Sequence, residues 1–168
     1  MIKTLRYVLV LFLLPAVLLA AVSPAAADRY RTAVFTTGGS TAMVNGRPLY
    51  VEPPPYLVDG TVVVPVRALA AAMGAQVAWD PASRTVTLTG PGAVVVLTVA
   101  SPVASVNGRA VAFGIAPRIV PPGITVGPAG WVAEAFGYTV HRLPALNWLL
   151  ITNHPPVTFC TPGAAPPA

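Results

Sequence analysis

Metal chemistry needs nitrogen, sulfur or carboxylate ligands converging on one point. This chain offers two histidines and one cysteine for it: His141, His154 and Cys160. None stands at a His-x-His or Cys-x-x-Cys spacing, and two of the three fall in a Pro-rich C-terminal stretch. Neither a metal site nor a cofactor is expected from such a set. Hydrolysis by paired carboxylates is the next possibility, and the acids are Asp28, Glu52, Asp59, Asp80 and Glu134. Glu52 and Glu134 are the pair a fold could bring together to cleave a glycosidic bond, although solvated acids are the rule. The sequence suggests no Ser-His-acid arrangement and contains no Gly-rich phosphate loop. No catalytic residue is therefore assigned.

Arg67 is the charge of most interest. It sits in the first turn of a predicted helix, where the dipole disfavours a cation. A partner is expected, and Asp80 at the end of the following strand is the candidate, so that Arg67 ties helix to hairpin. Binding of a ligand is its second role. Trp79 alternates with Val77 on a face predicted to point inward, which makes it a core residue in this reading. Trp131 lies off the apolar stripe of its helix, and with Tyr138 and Trp148 it could form an aromatic patch for a glycan or a protein. Packing between repeats is equally open to these three.

These residues are carried by a duplicated pattern. Val44-Asn45-Gly46-Arg47 recurs as Val106-Asn107-Gly108-Arg109, and Pro65 to Gly74 finds its counterpart in Pro128 to Gly137. The period is about sixty residues, with one residue of drift, and such a repeat speaks for scaffold before catalyst. Asn45-Gly46 and Asn107-Gly108 are tight-turn dipeptides that tolerate positive φ and should each close a hairpin. Pro53-Pro54-Pro55 forces an extended strap. Pro65 suits the first position of a helix, in which Val66, Leu69, Ala70 and Met73 form one apolar face. Gly74 ends that helix as a left-handed cap, and Gly137 closes the second, with its stripe of Ala129, Val132, Ala133 and Phe136. Both helices are too short to stand alone and must dock on a sheet. Beyond each helix the apolar period changes to two, through Val77 and Trp79, then Val86 and Leu88, and in the second copy Val140, Leu149 and Ile151. Val94 to Val99 reads as a central strand between the copies. The expected fold is α+β: a twisted antiparallel sheet wrapped around two short helices, built from two strand–helix–strand-hairpin repeats.

The N-terminus has the layout of a secretory signal peptide: Lys3 and Arg6, an apolar run from Tyr7 to Val22, then Ala25-Ala26-Ala27. Residues 1–27 are read as that leader, 28–40 as a flexible tether, and 41–153 as one domain with repeats over about 41–89 and 104–152. Residues 154–168 are read as a Pro-rich disordered tail. The apolar run is short of the ~20 residues of a comfortable span, so no transmembrane segment is expected after cleavage. Residues 28–168 carry eight scattered arginines against five acids, a net charge of +3. Scattered charge is not a nucleic-acid footprint. A lone Cys excludes an internal disulfide framework.

The string from Asn45-Gly46 through Val64-Pro65-Val66-Arg67, Gly74-Ala75 and Trp79-Asp80 resembles the copper amine oxidase N-terminal-like, or stalk, domain over about residues 43 to 152. The resemblance implies an exported bacterial module without the copper and cofactor of the oxidase's catalytic domain. The second copy departs from the pattern: Gly130 stands for Arg67 and Arg142-Leu143 for Trp79-Asp80. Any site built on those residues is therefore single. The expected role is a secreted, extracellular, non-enzymatic structural or binding module of the bacterial cell envelope, contacting wall polymer or another envelope protein. An oligomeric spacer and a minimal glycan hydrolase using Glu134 with a second acid are the alternatives, and the oligomeric state is left open.

Overall fold

The computed structural model describes residues 30–155. The leader expected over residues 1–27, Asp28, Cys160 and most of the predicted tail lie outside the described residues. Along the chain run β1 (Thr32–Thr36), β2 (Thr41–Val44), β3 (Arg47–Tyr50), β4 (Tyr56–Val58), β5 (Thr61–Pro65) and α1 (Val66–Met73). Then come β6 (Gln76–Asp80), β7 (Thr85–Gly90), β8 (Ala93–Thr98), β9 (Val103–Val106) and β10 (Arg109–Ala112). The last group is β11 (Arg118–Val120), β12 (Ile124–Pro128), α2 (Ala129–Ala135), β13 (Thr139–Leu143), a 3-10 turn at Pro144–Leu146, and β14 (Trp148–Thr152). The α+β class holds, with strands dominating.

The strands make three antiparallel sheets where one was expected: β13-β14-β1-β2-β3, β10-β9-β8-β7-β6, and β11-β12-β5-β4. Residues 51–55, rich in proline, and residues 113–117 form no strand, so β3 does not continue into β4 nor β10 into β11. Proline cannot donate to a ladder, and the break falls at the strap. The predicted tether is also corrected. From Thr32 onward it is β1, the middle strand of its sheet, paired with β14 on one side and β2 on the other. Its alternation places Ala33 and Phe35 in the core, and burial of those two side chains, with two ladders, outweighs the polar threonines around them.

Hydrogen bonds recur at matching places in the two halves. The Asn45 amide donates to the Thr32 carbonyl (2.8 Å) while Asn45 Oδ1 accepts the Thr32 N–H (2.9 Å). Asn107 does the same to Val94, at 2.8 Å for both bonds. The Val51 amide donates to Ser40 and that of Phe113 to Pro102; Gly38 donates to Pro55 and Ala100 to Pro117. Each asparagine, at φ 50, thus adds a side-chain rung where the hairpin has already begun to turn. The outer sheets exchange material: the hairpin β13–β14 completes the sheet of β1, β2 and β3, and the hairpin β6–β7 completes that of β8, β9 and β10. β5 and β12 pair across the middle sheet.

Each helix contacts strands of all three sheets. α1 packs on β1, β5, β6, β12 and α2, and α2 packs on β5, β8, β12 and β13. Val66, Leu69, Ala70 and Met73 are buried, as are Ala129, Val132 and Ala133, with Phe136 half-buried against the same core. Pro65 is the cap before α1, with an extended ψ of 124°, and ends β5; it is not the first helical residue. Gly74 takes the left-handed conformation (φ 69°) and closes α1. A Cβ there would lie 2.5 Å from the Arg31 guanidinium carbon. α2 is capped by Phe136, with Gly137 (φ 79) one residue beyond.

Candidate functional site

Two of the residues singled out by type meet in one groove. Val66 and Arg67 at the start of α1, Val77 and Trp79 of β6, and Val86 of β7 form one wall. The turn and strand of the β11–β12 hairpin, through Ile119, Gly123, Ile124 and Thr125, form the other. The recess has a volume of about 350 Å³, near the lower end of the roughly 300–1,000 Å³ typical of small-molecule sites. Its lining is aliphatic apart from Thr125, the Trp79 indole and the Arg67 guanidinium, and it contains no acid.

Trp79 is therefore not the core residue that the alternation suggested. Val77 does pack on the core, but Trp79 keeps 40% of its surface exposed. β6 is the outermost strand of its sheet, and the β11–β12 hairpin opposite Trp79 leaves a groove there and not a closed core. The expected Arg67–Asp80 pair is not formed either. Asp80 Oδ1 accepts the Ala82 N–H (2.9 Å) and Oδ2 accepts the Ser83 hydroxyl, so the carboxylate is consumed by its own turn. Those bonds, that from Ser83 foremost, hold the Asp80 carboxyl below its ordinary range. Arg67 is exposed and makes no hydrogen bond or ion pair with any described residue.

The proposed aromatic trio does not assemble. Trp131, 43% exposed, stacks at 6.2 Å on Phe113. The Tyr138 hydroxyl donates to the Met73 carbonyl (3.0 Å), tying the end of α1 to the approach of β13. Burial raises its pKa, and the charge of Arg31 partly opposes this. Trp148 pairs with Leu143 at the other end of the β13–β14 hairpin from Thr139, about 13 Å from it at 3.3 Å per residue. Glu52 accepts the Tyr50 hydroxyl (3.0 Å), whereas Glu134 is exposed on α2; no hydrogen bond joins their carboxylates. His154 stacks on Tyr30 (4.7 Å) and His141 lies exposed on β13. Among the described residues no three His, Cys, Asp or Glu side chains gather as metal ligands would.

The second half shows what happens at the matching position. Trp79 pairs with Val86 and Arg142 with Leu149, in the same register of their hairpins. Arg142 Nη1 donates to the Gly60 carbonyl (2.8 Å) in the β4–β5 turn. It thereby bridges the recess that Trp79 leaves open opposite Gly123. Gly130 supplies no side chain where α1 has Arg67. The groove wall formed by Ile119, Gly123, Ile124 and Thr125 escaped the sequence reading, because hairpin exchange alone brings it against α1 and β6. Its only signal was the Pro121-Pro122-Gly123 turn.

Fold and site together define a sheet-rich module with an open groove beside Arg67 and Trp79. Residues 43–145, more than half of the chain, match the copper amine oxidase N-terminal domain family. The chain belongs to that family, whose namesake domain is the non-catalytic part of the oxidase. A comparison with curated proteins found no match. No helix among the described residues is long and apolar enough to cross a membrane.

Proposed function

We propose that this protein is an exported, non-catalytic binding module of the bacterial cell envelope, made of two repeats and holding a wall polymer or another envelope protein. The observation that carries the reading is an Arg67 with no partner among the described residues and an exposed Trp79, together in a groove whose lining contains no acid. Pockets that bind combine an apolar lining with a few placed polar groups, and this groove has both. The leader-like N-terminus supports export. The family's non-catalytic character supports a binding role over hydrolysis.

Co-sedimentation of residues 28–168 with purified cell walls across a salt series tests this. Retention at high salt that falls at least five-fold in Trp79→Ala is the expected result. Binding lost at modest salt would reduce the interaction to arginine-driven adhesion. Absence of binding at any salt would leave an envelope-protein partner or a plain spacer.

A further inference from the structure

We infer that the groove is a subsite for one acidic sugar residue, its carboxylate or phosphate on Arg67 and its ring against Trp79. This rests on the groove being the contact surface proposed above. Arg67 is a cation without a partner among the described residues, in a recess whose lining contains no acid, so charge complementarity calls for an anion. A guanidinium takes a carboxylate or a phosphate in the same two-pronged geometry. The volume of about 350 Å³ admits a single ring. Trp79 offers a flat, half-exposed face beside Val77 and Val86, to which the C–H face of a pyranose is complementary. The matching position in the other half is an internal comparison: there an arginine replaces the tryptophan and bonds the Gly60 carbonyl. That half lacks both binding groups and Arg142 spans to the β4–β5 turn, so the pairing of Arg67 with Trp79 is not duplicated there. A peptide laid along the β6 edge would draw its affinity from main-chain bonds and would place no more than a side chain in this recess.

The test is an NMR titration of residues 28–168, which contain every described element, with four probes: a trigalacturonate, a neutral trisaccharide, a hexose phosphate and a tetraglutamate. The expected result is that an acidic saccharide binds at least ten-fold tighter than the neutral one and moves the Trp79 indole N–H signal but not that of Trp148. Whichever of uronate and sugar phosphate binds tighter identifies the source of the acid. Arg67→Met, at an exposed side chain with no bond to lose, should weaken binding at least ten-fold, and Trp79→Ala likewise. Arg109→Gln, which removes an exposed charge from β10, should not. Tetraglutamate binding as tightly as the sugars, equal binding of the neutral trisaccharide, an unmoved Trp79 signal, or an indifferent Arg67→Met would each overturn the inference. Wall binding that depends on Trp79 while no acidic sugar binds would sink this inference alone. Wall binding indifferent to Trp79 would sink the groove reading beneath it.

Discussion

At the scale of single residues, Asp80 shows how a local turn can outcompete a longer-range partner. Its carboxylate is two and three residues from the Ala82 N–H and the Ser83 hydroxyl, and closing so short a loop costs little entropy. Arg67 would have had to surrender far more side-chain freedom to reach it. Because the Asp80 pKa is lowered on folding, its contribution to stability is present above the ordinary carboxylate range near ~3.9. It is lost as pH falls through the lowered value. Ser83→Ala should move the Asp80 titration midpoint upward, as read by carboxyl carbon shifts; a midpoint that stays put would show that Ser83 is not the cause. Asp80 thus leaves the Arg67 guanidinium unpaired beside Trp79.

Among the elements, the hairpins β2–β3 and β9–β10 are specified most tightly. Asn45 and Asn107 satisfy two requirements at once: a positive φ, and an oxygen placed to accept from Thr32 or Val94. Glycine would meet only the first. Asn45→Ala and Asn107→Ala should each cost about 1–2 kcal/mol, the sum of a lost hydrogen bond and a strained left-handed alanine. Asn→Asp, which keeps the acceptor, should cost less at either position. Thermal or urea unfolding reads both, and an equal loss for Ala and Asp would argue against the side-chain rung. The helices behave differently, since α1 and α2 owe their existence to burial: every residue of the α1 stripe is inaccessible, and an eight-residue helix in water would not persist.

For the whole molecule, the governing feature is exchange. Each five-stranded sheet takes three strands from one half of the chain and two from the other, and the four-stranded sheet joins the halves through β5 and β12. The only covalent tie in the described core is the β7–β8 turn at Pro91-Gly92, between Gly90 and Ala93. A protease site inserted in that turn and then cut should leave one particle on gel filtration, with fragments parting only in denaturant. Two species separating in native buffer would mean that the linker, rather than the shared sheets, holds the halves. The same exchange carries the β11–β12 hairpin to α1 and β6 and creates the groove, so binding and folding depend on one topology.

Much of this was legible in the residues alone. Asn-Gly turns, the proline strap, the i, i+3, i+4, i+7 stripes and the glycines that end the helices are set by φ preferences and by periodicity, which act over a few residues and need no knowledge of the rest. Family membership was legible for the same reason, since its motif is a string of such local signals. Only the tertiary structure decided that Thr32–Thr36 is a central strand, that one expected sheet is three, that Trp79 faces a groove and that Arg67 misses Asp80. Each of those outcomes turns on which distant strand lies alongside. Burial of Phe35 depends on its face packing into the common core, and exposure of Trp79 depends on the β11–β12 hairpin leaving a groove over its face of β6. Period-two alternation names two faces of a strand, but only the packing of the whole chain chooses which of them is covered.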